Sequence, residues 1–330
     1  MKKLILMFSA IAIMASCTKT DEVIPTGTDG QVEIKLKSTA LSIDATSRAA
    51  FEGPISGTHN LIAKVLASAI TGNYATLYAN GNMTFTDNGT NAVGYSTTKY
   101  YYPANDDVLY FCGLYPADAT WGTFGTTTTL TFSGKEDVMA AAETSGKKSL
   151  AQAATPTHPS LTFNHLLTKL VVLVKADDTD AEATAAAAAA WGKVTGITLI
   201  KADGADPLSV VTVDLKTGAA TSFGTDVASF PFYVRNTDSP FTTSDVLTDT
   251  PEEVAYSIVA PITATGTNDF RLKVITEKHT TGVEVPLGVT VGATKGKSYA
   301  ITLTFKATEI KATATVVAWA DGGATGVEIE

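Results

Sequence analysis

Arginine is nearly absent from this chain of 330 residues, occurring only at positions 48, 235 and 271. That scarcity removes the bidentate forks that grip phosphates and carboxylates. Charged residues make up 17%, and a formal net charge of -9 opposes nucleic-acid binding, which needs clustered cations. Histidine is confined to 59, 158, 165 and 279, none with metal-ligand spacing to Cys, Asp or Glu. No glycine-rich phosphate loop follows a strand pattern, and no Gly-x-Ser-x-Gly elbow occurs. Cysteine appears only at 17 and 112. With no catalytic constellation in the sequence, neither an enzyme nor a cofactor or metal site is expected.

What the chain has in quantity is threonine, glycine, alanine and valine, a composition that favours strands and turns over helical bundles. Hydrophobic residues at 45% over this length suffice for two packed cores. The N-terminus reads as a targeting segment. Lys2 and Lys3 precede an apolar run, Leu4 to Met14, that is too short to span a membrane comfortably. The run ends in Met14-Ala15-Ser16-Cys17, which resembles the bacterial lipobox, whose cysteine is acylated and becomes the new N-terminus. Acyl chains on Cys17 would hold a precursor on a membrane, each buried methylene adding roughly 0.8 kcal/mol. The following Lys19-Thr20-Asp21-Glu22 is similar to signals that send lipoproteins to the outer face. With Cys17 lipidated, Cys112 has no intrachain partner. Its apolar run, Val108 to Pro116, makes it a buried structural thiol.

Residues 18–30 are polar, with Pro25, Gly27 and Gly30, and read as a tether. Val32-Glu-Ile-Lys-Leu-Lys37 alternates with period two, which predicts a half-buried strand carrying Val32, Ile34 and Leu36 on its apolar face. Arg48-Ala49 follows in a Ser/Thr/Ala-rich stretch, a setting that suits a protease site as well as a solvated surface charge. Beyond it, strand patterns alternate with turn chemistry, as at Gly72-Asn73 and Asn80-Gly81-Asn82. Strands are predicted at Thr97 to Tyr102 and Val108 to Tyr115, and a loop with at most a helical turn at 135–154. The prolines of Thr155-Pro-Thr-His-Pro159 mark a linker, and the apolar run Leu161 to Lys175 is expected to begin a second sandwich as one central strand. Asp180 should cap a short alanine-rich helix over 181–190. Short strands then recur at all-β spacing, including Leu208 to Asp214, Phe270 to Ile275 and Tyr299 to Phe305. Ile310 to Trp319 and Val327 to Glu330 close the chain as strand-like segments. They suit either a final strand of the last sandwich or a strand that fits into a groove.

Three clusters have competing readings. Asp177, Asp178 and Asp180 lack the glycine and distal glutamate of a calcium loop, so a turn and helix start is the better reading. Tyr100-Tyr101-Tyr102 and Trp121 suit sugar stacking or, more commonly, strand packing. His165 lies on an apolar face and reads as a satisfied core histidine.

Several segments together resemble the fimbrillin-like lipoproteins that build type V pili. They are the lipobox, the single arginine about thirty residues on, Tyr101-Tyr-Pro103 followed by Val108 to Pro116, and Phe163-Asn-His165 running into Leu167-Thr-Lys-Leu170. Gly296-Lys-Ser-Tyr299 and Val316-Val-Ala-Trp319 complete the set. The resemblance implies an all-β fold of two tandem transthyretin-like β-sandwich domains, with the alanine-rich helix as an excursion. It divides the chain into a signal peptide and lipidated cysteine (1–17), a tether and removable strand (18–48), a first sandwich (49–157) and a second (158–330). It further implies a structural pilin, exported as an outer-membrane lipoprotein and cut by an arginine-specific protease between Arg48 and Ala49. Loss of Val32, Ile34 and Leu36 would open a groove. A C-terminal strand from about 308–330 of another subunit would fill it, drawing on Ala312, Ala314, Val316, Ala318 and Trp319, or on Val327 and Ile329. The partners are then other fimbrillin subunits, with host or bacterial surface ligands for the finished fimbria. The alternative is an uncleaved surface lipoprotein, acting as a pilus anchor or a glycan- or host-binding module.

Overall fold

Period-two alternation becomes strand over about half of the described residues. The computed structural model describes residues 30–40, 61–78, 82–87, 98–201, 207–234, 239–261, 270–287, 295–318 and 327–329. Cys17, Arg48, Ala49 and Trp319 lie outside the described residues. In chain order the first part holds β1 (Lys37–Ala40), β2 (Leu61–Ser68), β3 (Asn82–Asp87), β4 (Leu109–Tyr115), β5 (Thr127–Thr131) and β6 (Met139–Gly146). A one-turn helix α1 (Lys148–Ala151) and β7 (Ser160–His165) complete it. Then come β8 (Thr168–Ala176), α2 (Ala181–Trp191), β9 (Val194–Lys201), β10 (Leu208–Asp214), β11 (Ala219–Asp226) and β12 (Phe230–Pro231). The rest is β13 (Glu252–Val259), β14 (Phe270–Thr276), β15 (Val283–Pro286), β16 (Lys297–Phe305), β17 (Ile310–Ala318) and β18 (Val327–Ile329).

These strands form an all-β, multi-sheet fold. Six make one sheet in the order β1-β7-β6-β4-β2-β3. A four-stranded sheet, β12-β9-β14-β15, packs against a five-stranded sheet, β13-β8-β16-β17-β18. A small third unit, β11-β10-β5, ties the two parts together. There β5 pairs with β10 from Thr127↔Asp214 to Thr131↔Val210, and Leu130 shares one buried cluster with Val211 and Val213.

Two expectations are corrected here. The stretch 135–154 is not mainly loop, because β6 runs through it between β4 and β7. The run Leu161 to Lys175 is not one strand but two, β7 and β8, in different sheets. Leu166 and Leu167 between them are both buried, which breaks the alternation that a single strand would keep. The Leu166 N–H donates to the Val138 carbonyl, and the Leu167 carbonyl accepts from the Gly296 N–H, fixing the crossover from both sides. One consequence is that the first sheet continues past residue 158, since β7 pairs with β6 beyond the Pro-rich stretch. Of the predicted strand Thr97 to Tyr102, Thr97 lies outside the described residues, and residues 98–102 contribute the bridge Glu33↔Tyr101.

The alanine-rich helix forms where its composition places it. The Asp180 carboxylate accepts from the Ala183 N–H at 2.7 Å, satisfying one of the orphan donors of the first turn. Ala187 and Trp191 are buried, and the Trp191 indole N–H donates to the Lys306 carbonyl, so the excursion is anchored at its far end.

Candidate functional site

The feature that stands apart is how the inner face of the six-stranded sheet is covered. Odd-numbered residues of β2 and β4 face one core: Leu61, Val65, Leu109 and Phe111 lie there with Phe85, Met139, Leu161 and Phe163. The even-numbered Leu66, Cys112 and Leu114 face the other core. A sheet buried on both faces needs a cover on each. On the first face, the buried members from outside the sheet are, among the described residues, Val32, Ile34, Leu36, Tyr102 and Ala151. Three of these five come from one short N-terminal segment.

That segment is extended, and its side chains alternate. Val32, Ile34 and Leu36 are 1%, 4% and 2% exposed, while Glu33 and Lys35 are half-buried and Lys37 is exposed. Its backbone is paired on two different partners. The Ile34 N–H donates to the Tyr100 carbonyl at 2.7 Å, and the Val32 carbonyl accepts from the Tyr102 N–H at 2.9 Å. The Lys37 N–H then donates to the Pro159 carbonyl at 2.8 Å, after which β1 runs parallel to β7 from Lys37↔Ser160 to Ala40↔Phe163. Lys99 and Glu33 add an ion pair at 3.5 Å on the outer side. The segment thus crosses the open face of the core and ends as the edge strand of the sheet.

The floor beneath it is tightly fitted. Gly113 of β4 leaves room for the Phe163 ring, where an added Cβ would come within 2.4 Å of Cζ. Tyr102 is buried with its ring edge-on to Phe111 at 6.3 Å, and burial pushes its hydroxyl pKa up. Beside the floor, His165 Nδ1 and the Asp137 carboxylate meet at 2.9 Å with both side chains buried. The expected core histidine therefore has a buried carboxylate partner 28 residues earlier in the chain. Cys112 is buried on the opposite face, and desolvation pushes its thiol pKa well up, as suits an inert structural thiol.

Other sequence candidates fall into structural roles. Asp177 accepts from the Thr179 hydroxyl at 2.6 Å and lies 3.7 Å from Lys306, contacts that hold its carboxyl below the usual range. Asp178 pairs with Lys175 at 2.7 Å, and Asp180 caps α2. The tyrosine run does not form an open aromatic face: Tyr102 is buried, Tyr100 and Tyr101 are half-buried, and their carbonyls receive Ile34 N–H and the Tyr78 hydroxyl. Trp121 is buried too, donating to the Pro116 carbonyl. At the other end of the chain, β17 pairs with β16 over nine residues, placing Ala312, Ala314, Val316 and Ala318 within the C-terminal sheet. The edge strand β18, with Val327 and Ile329, is held to β17 by three register pairs. Among the described residues no helix is long and apolar enough to cross a membrane.

Fold and site together define an all-β chain of packed sandwiches whose first core is closed by its own N-terminal segment. Residues 48–319 match the family model described as fimbrillin-like, and the chain belongs to that family. No curated protein sequence matches it. Among solved structures it resembles a candidate cell adhesion protein of Bacteroides uniformis, at 19% identity and a TM-score of 0.56 over 88% of this chain and 99% of the other. A second candidate cell adhesion protein, from Bacteroides ovatus, is 15% identical with a TM-score of 0.52, covering 89% and 99% of the two chains. A fimbrial protein of Bacteroides vulgatus is 14% identical with a TM-score of 0.51, covering 87% and 99%. At these identities the likeness is one of fold.

Proposed function

We propose that this chain is a non-enzymatic structural subunit of a cell-surface fimbria, stored in a capped form and released for assembly by proteolysis. The observation that carries the reading is the seat of Val32, Ile34 and Leu36, which close a core whose other walls come from far later in the chain. Arg48, the one arginine before Arg235, lies between that segment and β2. The family match begins at residue 48, so the shared module starts where the segment would be cut away, which supports the same reading. Cys17 is the proposed lipid attachment, placing the precursor on the outer membrane before the fimbria forms.

The mechanism follows from what removal would leave behind. Cutting after Arg48 detaches 17–48, lipid included, covalently and leaves it held by backbone pairing and three apolar side chains. Once it departs, the Tyr100 carbonyl and Tyr102 N–H lose their partners, and each polar group left unsatisfied in a buried groove costs about 1–3 kcal/mol. An apolar face of Leu61, Phe85, Leu161 and Phe163 is exposed at the same time. Such a groove recaptures an extended strand. A strand from the C-terminal region of another subunit makes the contact head-to-tail, and a heterologous contact of that kind propagates as a filament. The proposed partners are therefore other fimbrillin subunits and an arginine-specific protease. The uncut chain, with its groove filled, is the form that a membrane-bound anchor would keep.

Incubating the precursor with an arginine-specific protease should leave Ala49 as the new N-terminus and give ladders or filaments, and Arg48→Ala should block both while preserving the fold. Precursor that is cut after Arg48 and stays monomeric would sink the reading.

A further inference from the structure

Glu143 lies where β6 departs from regular pairing, and its carboxylate gathers three donors from one turn. Phe111 of β4 stands opposite Thr144 and Gly113 opposite Ala141, so Ala142 and Glu143 together face the single residue Cys112. Such a bulge re-aims a side chain away from the pleat. Glu143 Oε1 accepts from the Thr71 hydroxyl at 2.6 Å, and Oε2 accepts from the Gly72 N–H at 2.6 Å and the Tyr74 hydroxyl at 2.8 Å. All three donors belong to the connection between β2 and β3, 69 to 72 residues earlier in the chain. Tyr74 is fully buried, and desolvation, with Cys112 and Glu143 adding to it, pushes its hydroxyl pKa up, so it remains a donor. The backbone of Glu143 holds a second turn. Its N–H donates to the Lys216 carbonyl at 2.9 Å, in the connection between β10 and β11. That connection is tied internally by Asp214 Oδ1, which accepts from the Lys216 and Thr217 N–H groups and from the Thr217 hydroxyl. It approaches β6 closely because Gly218 (φ +64°) has no Cβ, which would meet Ala142 N at 2.6 Å.

We infer that Glu143 is a clasp that couples the β10–β11 hairpin, from the second part of the chain, to the β2–β3 turn of the first, so that the two turns open together. Its side chain grips one turn and its amide the other, and the bulge is what lets one residue do both. Hydrogen bonds to a carboxylate are stronger than neutral ones, and several on one group polarise one another. Coupling of this kind is reciprocal: loosening the hairpin weakens the hold on Gly72, and loosening the Gly72 turn weakens the hold on the hairpin by the same factor. The Tyr74 ring carries the link inward, into the buried cluster it shares with Leu130, Val213 and Leu215. In the structural subunit proposed above, such a joint passes load between the two parts without a hinge. The clasp itself requires neither cleavage nor a partner.

Amide hydrogen exchange in the uncut full-length chain tests the clasp from both sides. Asp214→Ala loosens the hairpin at its own turn and should raise exchange at the Gly72 amide about fivefold, the factor for one net hydrogen bond. Thr71→Ala removes one donor from the other turn and should raise exchange at the Glu143 amide, which is bonded to the hairpin, by a similar factor. Glu143→Met keeps the length of the side chain without its acceptors and should raise exchange at the Gly72 amide at least tenfold. In that background Asp214→Ala should leave the Gly72 amide unchanged. A cross effect missing in either direction overturns the coupling, and these two variants decide it even where Glu143→Met does not fold. A cross effect that survives in Glu143→Met overturns Glu143 as its carrier, as does a Gly72 amide that exchanges at the wild-type rate in that variant.

Discussion

Ile34→Ala is the most informative single change, because Ile34 sits at the centre of the segment that closes the first core. Its side chain is 4% exposed, and its N–H donates to the Tyr100 carbonyl at 2.7 Å. Truncating a buried isoleucine to alanine costs about 2–5 kcal/mol through lost transfer energy and the cavity left behind. The amide at position 34 exchanges with solvent only when the segment lifts off or the core unfolds. Its exchange in the uncut protein therefore reads the loss locally. The rate at that amide should rise about 30-fold or more, taking the lower end of the range and tenfold per 1.4 kcal/mol. Lys37→Ala is the control, since its exposed side chain should change stability by no more than about 0.5 kcal/mol. In protein cut after Arg48, the same Ile34→Ala change should shorten the retention of the 17–48 peptide by a similar factor. Equal exchange rates in the two variants would refute the packing argument, because they would mean that Ile34 contributes no more to the seat than an exposed lysine.

Three further outcomes test the frame around the groove. Gly113→Ala should destabilise the chain by about 1–3 kcal/mol in urea unfolding, since its Cβ would meet Phe163 Cζ at 2.4 Å, and Phe163→Leu should recover part of the loss. Asp137→Ala should cost about 1–3 kcal/mol by taking the hydrogen-bonded carboxylate from the buried His165 Nδ1, with the loss read in the same assay. In a Cys17→Ser chain, Cys112 should resist a neutral thiol reagent at pH 8 until the protein unfolds. Burial raises its pKa above the usual thiol value, so the protonated form persists at that pH.

How much of this was legible in the sequence depended on whether the signal was local. The alternation of Val32, Ile34 and Leu36 and the cap at Asp180 are written within a few residues, and both appear in the fold as extended segment and helix start. The crossover between β7 and β8 was not legible, because Leu166 and Leu167 read as two more apolar positions in a long run. Only their bonds to Val138 and Gly296 show that they turn inward between sheets. The stretch holding β6 was masked by its small residues, Ala140, Ala141 and Ala142, whose pattern is weak until β4 and β7 flank it. The prolines around 156–159 lie in a connection between two strands of the first sheet, since β7 pairs with β6 directly after them. In the groove, the apolar face of the segment was readable, whereas its pairing partners at 100–102 and 159–163 were not. Both contacts span more than sixty residues and leave no local pattern.

The central claim is that the N-terminal segment is a removable cap, and N-terminal sequencing of protein sheared from the cell surface tests it most directly. Assembled material should begin at Ala49 and lack residues 17–48. Assembled surface protein that still begins at an acylated Cys17, with Val32, Ile34 and Leu36 in place, would contradict it.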